Sequence, residues 1–216
     1  MLSEAGKVFR MERKSRPKRQ LLVYQFLIVL ARTDPLIWRR IQVPKRYSFW
    51  DLHVAIQDAM GWQDCHLHQF TLVDPRNGQL ERVGIPDEDM PDAWPCRAGW
   101  EVRMSPFFGY EALPVRYLYD FGDNWEHVLV YEGTWPAEES VKYPLCLSGA
   151  RACPPEDCGS IMGYANFLEA VRNVRHPEHK EMLEWVGGNY DPDGFFPGQV
   201  SFDDPRKRWK EAFQED

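Results

Sequence analysis

The sequence predicts an α+β fold, with a mostly antiparallel sheet, a helix packed across it, and C-terminal helices. Two strand-like segments, residues 21–31 and 36–43, flank the turn signal Thr33-Asp-Pro35 and form a predicted hairpin. A helical pattern follows, then further strands, and the remaining helices come late in the chain. This order predicts the α+β class, and it is also the order of a β-grasp arrangement.

Length and composition predict one ordered domain with short appended ends. The chain has 216 residues, 44% of them hydrophobic, and a formal net charge of −7. Such a composition excludes a disordered chain. We expect a flexible basic arm over residues 1–19, a domain over residues 20–200, and a C-terminal tail with a short helix over residues 201–216.

The sequence also predicts a cytoplasmic protein without a membrane partner. No apolar run approaches the roughly 20 residues that span a bilayer, and the polar, basic start lacks a secretory signal. The chain has five cysteines, and an odd number in a reducing compartment is weak support for disulfides. Free thiols or metal ligands are the alternatives.

The first helix has start and stop signals. Ser48 is a good N-cap, Asp51 stands at the capping-box position, and Gly61 is expected to end the helix. Arg39 interrupts the apolar face of the strand before this helix. We expect it either to pair with a carboxylate or to lie on an exposed edge.

Residues 117–131 are predicted to form a hairpin with one polar face. A two-residue turn within residues 122–124 places Asp120 on the same face as Trp125 and His127. The opposite face is a predicted aromatic core stripe of Tyr117, Tyr119 and Phe121. A carboxylate beside an imidazole suits a general base, a metal ligand or a structural hydrogen bond.

Two acidic positions add to this polar face. Asp123 lies near the predicted turn, and a rigid proline-containing loop presents two carboxylates at residues 156–157. That loop is also a candidate helix start, where acidic residues are favoured. The candidates for catalysis are therefore Asp120, Asp123, His127, Glu156 and Asp157.

A second histidine pair lies in the predicted strand over residues 66–73. His66 and His68 are two residues apart and would share a face. Histidines at this spacing occur in metal sites and also as ordinary half-buried residues. If this strand neighbours the hairpin, four side chains could converge on zinc, manganese or iron, namely His66, His68, Asp120 and His127.

Residues 146–158 hold three of the cysteines. Their spacing does not match a zinc knuckle, although a zinc site closed by a distant histidine such as His127 is one alternative. Buried thiols packed among prolines are the other. The cofactor is unknown, with zinc or another divalent metal as the hypothesis. The candidate metal ligands are His66, His68, His127, Cys146, Cys153 and Cys158.

The basic arm is the candidate contact for nucleic acid. Its cations are concentrated in residues 14–19, which a solvated tail explains equally well. The acidic remainder of the chain argues against a broad nucleic-acid-binding face. The candidate residues are Lys14, Arg16, Lys18 and Arg19.

Five motifs together resemble the plasmid pRiA4b ORF-3-like family over roughly residues 20 to 200. They are Ile37-Trp-Arg-Arg-Ile41, His66-Leu-His68-x-Phe70, Tyr119-Asp-Phe-Gly-Asp-Asn-Trp-Glu-His127, Arg151-Ala-Cys-Pro-Pro-Glu-Asp-Cys-Gly159, and His176-Pro-Glu-His179 through Glu184-Trp185. The resemblance implies an α+β fold and no settled activity. Other members often carry an aliphatic residue where Cys158 stands, so a zinc site that requires Cys158 would not be general to the family.

Some members of that family are labelled as transposon resolvases, and this label does not carry over. A serine resolvase needs a nucleophilic serine with an arginine cluster, and the sequence lacks that pattern as well as Gly-x-Ser-x-Gly and His-Glu-x-x-His. The first hypothesis is therefore a non-catalytic binding or regulatory module, associated with plasmids or mobile elements. The alternatives are a metal-dependent hydrolase or nuclease with the His/Asp cluster, and DNA binding through the arm. The partner is unknown, a protein or DNA.

Overall fold

The computed structural model describes residues 20–86, 95–109 and 112–214, which form an eight-stranded sheet and four α-helices. The strands are β1 (Leu22–Leu30), β2 (Ile37–Pro44), β3 (His68–Val73), β4 (Leu80–Gly84), β5 (Arg97–Ala98), β6 (Val115–Tyr119), β7 (Trp125–Pro136) and β8 (Leu145–Ala150). The helices are α1 (Phe49–Met60), α2 (Ser160–Arg172), α3 (His179–Trp185) and α4 (Pro205–Phe213), with a short 3-10 helix at Pro197–Gln199.

The sheet is mostly antiparallel, which confirms the predicted fold class. Its strand order is β5-β4-β3-β6-β7-β1-β2-β8, and the short β4–β5 pair is parallel. Residues alternate between buried and partly exposed along β2 and β3, which is the pattern of a sheet with one covered face. The covered face packs against α1, as the contact of Phe49 with Phe70 illustrates, with ring centroids 5.1 Å apart.

The capping residues of α1 act as predicted. The Ser48 hydroxyl accepts from the Asp51 amide at 3.1 Å, and the Asp51 carboxylate accepts from the Ser48 amide at 2.9 Å. Gly61 follows the helix with φ of 88°, a left-handed conformation that suits glycine. Local chemistry therefore fixes both ends of the helix that lies across the sheet.

Arg39 is buried, so the expectation of a carboxylate partner or an exposed edge is wrong. Its guanidinium donates to the carbonyls of Ala59 at 2.8 Å and Ala150 at 2.9 Å, and stacks 3.7 Å above the Phe195 ring. The Ala59 carbonyl belongs to the last turn of α1, where a cation is favoured by the helix dipole. Arg39 thus joins β2 to the end of α1 and to the C-terminal segment.

The β6–β7 connection differs from the predicted two-residue turn. Tyr119 pairs with Trp125 and Tyr117 pairs with His127, so the loop comprises residues 120–124 and these four side chains share one buried face. The predicted division into an aromatic core face and a polar face is therefore wrong. Phe121, expected in the core, is 51% exposed.

A left-handed residue explains this longer loop. Asp120 has φ of 55°, which ends β6, and its carboxylate oxygen Oδ1 accepts from the amides of Gly122 and Asp123. Aspartate tolerates this conformation because its short side chain bonds to nearby backbone. The hairpin is closed by the side chain of Asp120 rather than by a glycine turn.

Strand β3 neighbours the hairpin, as the predicted convergence required, because His68 pairs with Tyr119. The strand begins at His68, however, and His66 lies in the preceding loop. The two histidines therefore do not share a strand face. This difference decides which side chains each of them contacts.

The C-terminal helix α4 is attached to α1. Arg208 contacts Asp58 at 2.7 Å, and the Trp50 indole donates to the Pro205 carbonyl at 2.8 Å. The short helix predicted near residues 208–213 begins earlier, at Pro205. None of the helices in the described ranges is long and apolar enough to cross a membrane.

Candidate metal centre

Three loops bring one imidazole and three carboxylates together at one end of the sheet. His66 precedes β3, Asp120 follows β6, and Glu156 and Asp157 lie between β8 and α2. The imidazole nitrogen Nε2 of His66 is 3.0 Å from Asp157 Oδ1, 3.7 Å from Asp120 Oδ2 and 4.0 Å from Glu156 Oε2. We call these four residues the His66 cluster.

Two of the carboxylates are oriented by short hydrogen bonds to one oxygen, and in Glu156 the other oxygen, Oε2, also lies 3.4 Å from the Tyr119 hydroxyl. Asp120 Oδ1 is occupied by two loop amides, and Oδ2 faces His66. Glu156 Oε1 accepts from the Gln63 amide at 2.8 Å and from the Tyr119 hydroxyl at 3.0 Å, while Oε2 faces His66. In both residues, the oxygen without backbone partners is the one directed into the cluster.

Tyr119 acts as an orienting donor. Its hydroxyl accepts from the Cys65 amide at 3.0 Å, which leaves the hydroxyl hydrogen free for Glu156. Burial raises the pKa of Tyr119 and the neighbouring Glu156 charge raises it further, so the phenol keeps its proton. Such supporting hydrogen bonds are typical around metal ligands.

The His66 nitrogen itself has no hydrogen-bond partner among the described residues. Nε2 is shielded from solvent, and its 3.0 Å contact with Asp157 is an ion-pair distance without hydrogen-bond alignment. A buried nitrogen without a partner carries a desolvation cost. A cation between His66 and the carboxylates would satisfy this nitrogen.

The charge of the cluster also favours a cation. Among the described ion pairs, His66 is the only basic partner of Asp120, Glu156 and Asp157, with no lysine or arginine beside them. Three carboxylates around one imidazole repel each other unless a positive charge separates them. Potential ligand atoms of His66, Asp120 and Asp157 lie within 4.8 Å of one another.

Comparisons with known proteins agree with the motifs in the sequence. The family model described as "Plasmid pRiA4b ORF-3-like protein" matches residues 22–198. This chain belongs to the plasmid pRiA4b ORF-3-like family. The matched region contains the whole His66 cluster.

Two similar proteins have no described activity. The uncharacterised protein y4hQ of Sinorhizobium fredii (strain NBRC 101917 / NGR234) is 37% identical over 170 residues, which cover 78% of this chain and 84% of the relative. A crystal structure of a protein of unknown function, MM3350 from Methanosarcina mazei Go1, matches with a TM-score of 0.78 and 39% identity. That match covers 85% of this chain and all of the other. They support the fold and assign no activity.

Asp123 does not pair with His66 and is not part of the cluster. Its carboxylate oxygen Oδ2 accepts from the Gly159 amide at 3.0 Å. This bond ties the β6–β7 loop to the segment that leads into α2. Asp123, expected beside His127 on a polar face, therefore supports the loops that carry the cluster.

His127 lies in the core and is not part of the cluster. It is fully buried, its Nδ1 is 3.1 Å from the Trp125 carbonyl oxygen, and its ring is 5.2 Å from that of Tyr117. Burial lowers the pKa of His127 to about 3, so the ring is neutral. The predicted convergence of four side chains is wrong, since among them only His66 and Asp120 meet.

His68 joins a different group of potential ligands, with His53 and Asp64. The His53 and His68 rings stack with centroids 3.4 Å apart and planes 9° from parallel. A metal binds imidazole in the ring plane at about 2.0–2.1 Å, and one ion cannot lie in two parallel planes. This group is therefore a poor metal site.

His53 and Asp64 instead belong to a buried hydrogen-bonded network, whereas neither ring nitrogen of His68 has a hydrogen-bond partner among the described residues. Gln57 donates to the Tyr117 hydroxyl, the hydroxyl lies 2.8 Å from His53 Nδ1, and His53 Nε2 lies 2.6 Å from Asp64 Oδ1. Because Tyr117 already accepts from Gln57, its hydrogen is free for His53. Sequence reasoning missed His53 and Asp64, and the only signal was a histidine beside the apolar stripe of α1.

The predicted cysteine site has no counterpart among the potential metal-ligand groups of the described residues. Those groups contain no cysteine, and all five cysteines are free. Burial raises the pKa of both Cys153 and Cys158 to about 12, which keeps them as thiols. Cys146 is buried in the core. The alternative of packed thiols describes these residues best.

The predicted nucleic-acid contacts lie outside the described residues. Lys14, Arg16, Lys18 and Arg19 belong to residues 1–19, so the role of the arm stays a prediction.

Proposed function

We propose that this protein is a divalent-cation-binding module whose ion is held by His66, Asp120, Glu156 and Asp157. The observation that carries the proposal is the arrangement at His66 Nε2, a shielded nitrogen without a hydrogen bond that faces oxygens of three carboxylates. Three carboxylate oxygens and one imidazole suit manganese, iron or zinc. They suit a soft metal such as copper(I) less well, because soft metals prefer sulfur ligands.

The described surroundings support a binding site that is built before the ion arrives. Asp120 and Glu156 are fixed by backbone amides and by Tyr119, so little ordering is needed when a cation binds. Asp157 is less constrained by its surroundings, because its side chain is 71% exposed. It would close the site from the solvent side.

A second candidate function is metal-dependent hydrolysis, and the exposure of Asp157 favours it. The cluster reaches the protein surface at this residue, whose side chain is 71% exposed. A bound divalent cation would supply an activated water, with Glu156 or Asp157 as the base. In this role the base is not a ligand, and the other three residues of the cluster hold the ion. The Glu156 oxygen Oε2 has no backbone donor and accepts a long hydrogen bond of 3.4 Å from the Tyr119 hydroxyl, so it can still take up a proton.

The proposal also includes a cytoplasmic location and a link to mobile elements. Five free cysteines suit the reducing cytoplasm. The family description names a plasmid open reading frame, and on that description we place the module in the context of mobile elements.

The metal proposal is tested on protein purified without a histidine tag. Element analysis and calorimetric titration with Mn²⁺ and Zn²⁺ should give about one ion per chain. Asp157→Asn should weaken binding at least about tenfold, and asparagine tolerates the left-handed backbone of residue 157. The matched control is Glu181→Gln, which removes one negative charge from an exposed site on α3 and should leave binding unchanged.

Either of two results would contradict metal binding at this site. One is less than about a tenth of an ion per chain after saturation and desalting. The other is equal weakening by Asp157→Asn and by Glu181→Gln. Hydrolysis is tested separately with a nitrophenyl phosphodiester and Mn²⁺. If the parent protein hydrolyses it no faster than the Asp157→Asn variant does, hydrolysis at this site is excluded.

A further inference from the structure

A long groove lies at the opposite end of α1 from the His66 cluster. Its volume is about 1040 Å³, at the upper end of typical ligand pockets. The groove contacts the first residues of α1, whereas the cluster follows its last turn, and a helix of twelve residues is about 18 Å long. The two sites are therefore separate.

The groove is rich in positive charge although the whole chain is acidic. Three carboxylates line it as well, those of Asp51, Asp203 and Asp204. Five cationic side chains come to it from four segments of the chain, and all five residues are exposed. They are Arg46, Arg103, Lys142, Arg206 and Lys210.

The carboxylates of the groove already have partners within the protein. The five cations have no carboxylate partner among the described residues, although Arg103 Nη1 donates to the Arg46 carbonyl at 2.9 Å. Asp51 caps α1, Asp204 caps α4 through the Arg206 amide at 2.9 Å, and Asp203 pairs with Arg208. The ion pairs of the described residues include none of the five groove cations. The groove is therefore ready to receive an anionic ligand.

Two tryptophans, Trp100 and Trp209, line the groove together with these charges, and Phe213 packs behind them. Trp100 and Trp209 are partly exposed, with ring centroids 6.1 Å apart, and Phe213 lies 4.9 Å from Trp100. The indole nitrogen of Trp209 is buried and has no hydrogen-bond partner among the described residues. Partly exposed planar rings beside cations suit a ligand that has flat groups as well as negative charge.

We propose that this groove binds single-stranded nucleic acid. Cations spread along an open groove match a chain of phosphates, whereas a single phosphate is usually held by convergent donors. Partly exposed tryptophans offer stacking surfaces for bases. Duplex DNA fits less well, because its bases are stacked inside the helix and unavailable to these rings.

The test measures fluorescence anisotropy of a labelled twelve-nucleotide oligothymidylate with the full chain. Binding should appear at low salt, near about 50 mM, and weaken as salt rises, with a logarithmic slope of up to about −3.5 if all five cations contact phosphates. Lys142→Glu with Lys210→Glu should weaken binding at least about tenfold and make the slope less steep by about 1.4.

A matched double variant controls for overall charge. Arg175→Glu with Lys207→Glu makes the same charge change at exposed positions outside the groove, one of them on α4 itself. It should change affinity by less than about twofold. Both variants keep the basic arm, so binding through the arm alone would be retained equally in the two, and such equal affinity would overturn the proposal.

Several outcomes would overturn the proposal. They are no binding at low salt, equal loss in the two double variants, tighter binding of duplex than of single strand, and displacement of the oligonucleotide by an equal phosphate concentration of thymidine monophosphate. Thermal unfolding of each variant within a few degrees of the parent confirms that loss of binding is not loss of fold. Loss in the groove variant alone supports the proposal.

Discussion

His53 of α1 and His68 of β3 stack face to face, with ring centroids 3.4 Å apart. Both rings are buried, and burial lowers the pKa of each well below its ordinary value. A second proton on either imidazole would give that ring a positive charge, stacked on the other ring and buried away from solvent. The packing of α1 on the sheet therefore requires two neutral imidazoles.

This requirement predicts a loss of stability in weak acid. A histidine with a lowered folded pKa binds fewer protons in the folded state than in the unfolded state, so stability falls as pH drops below the unfolded pKa, about 6.5. For His127, whose pKa is lowered to about 3, the loss at pH 5 is about 2 kcal/mol. The His53 and His68 pair should add to it.

Asp64 should offset a part of this acid sensitivity. Burial raises its pKa to about 6, so the folded state takes up a proton that the unfolded carboxylate takes up only near pH 4. This contribution favours folding as pH falls through 6. Urea unfolding at pH 7.5 and pH 5 measures the balance, and equal stabilities at both values would contradict neutral buried imidazoles.

A second prediction concerns the two neighbouring arginines of β2. Arg39→Lys should destabilise the protein by about 2–3 kcal/mol, because an ammonium cannot reach its separate carbonyl partners or stack on Phe195. Arg40 projects to the other face and pairs with Glu132 at the surface. Arg40→Lys should therefore cost less than about 1 kcal/mol.

Urea unfolding of the two variants separates burial from charge. Both substitutions keep a positive charge on the same strand, so a difference between them reports the geometry of the guanidinium. Equal free energies of unfolding would mean that the buried bonds of Arg39 contribute no more than a surface pair.

Local chemistry could be predicted from the sequence, and the contacts between segments could not. Ser48 and Gly61 were identified correctly because a capping signal and its partner lie within a few residues. The turn after β6 was misplaced because nothing in its sequence marks Asp120 as left-handed. One such residue changed the pairing, and with it the side on which Trp125 and His127 lie.

In the candidate site, too, the local features could be predicted from the sequence and the contacts between segments could not. Glu156 and Asp157 were predicted to lie on a rigid loop that presents carboxylates, and His66 was a candidate ligand. Their meeting depends on the crossing of three loops, and sequence spacing does not encode such a crossing. The pair of His53 with Asp64 was invisible for the same reason, since the helix end separates them.

A third prediction separates the two roles of Asp120. Asp120→Asn keeps the oxygen that accepts from the loop amides, so stability should change by less than about 1 kcal/mol, and ion binding should weaken at least about tenfold. Asp120→Ala loses the loop bonds and strains the backbone, which should cost about 2 kcal/mol. Unfolding and calorimetric titration of both variants test this, and similar ion affinity in Asp120→Asn and the parent would exclude Asp120 as a ligand.

A fourth prediction connects α2 to the carboxylate loop through Gly163. Its Cα lies close to the chain before the helix, and a Cβ there would overlap the carbonyl oxygen of Cys158. Alanine is the better helix former by about 1 kcal/mol, yet the clash should make Gly163→Ala destabilising by about 1–3 kcal/mol. The displaced backbone directly follows Glu156 and Asp157, so ion binding should weaken as well.

The control for Gly163→Ala is Ala165→Gly, at an exposed position of the same helix. It should lower stability by about 1 kcal/mol through helix propensity, and it leaves Cys158 in place. If both variants weaken ion binding equally, general loosening of α2 is the cause and the carboxylate loop is not specifically positioned by Gly163. If only Gly163→Ala weakens it, the close approach of α2 to Cys158 sets the position of the two carboxylates.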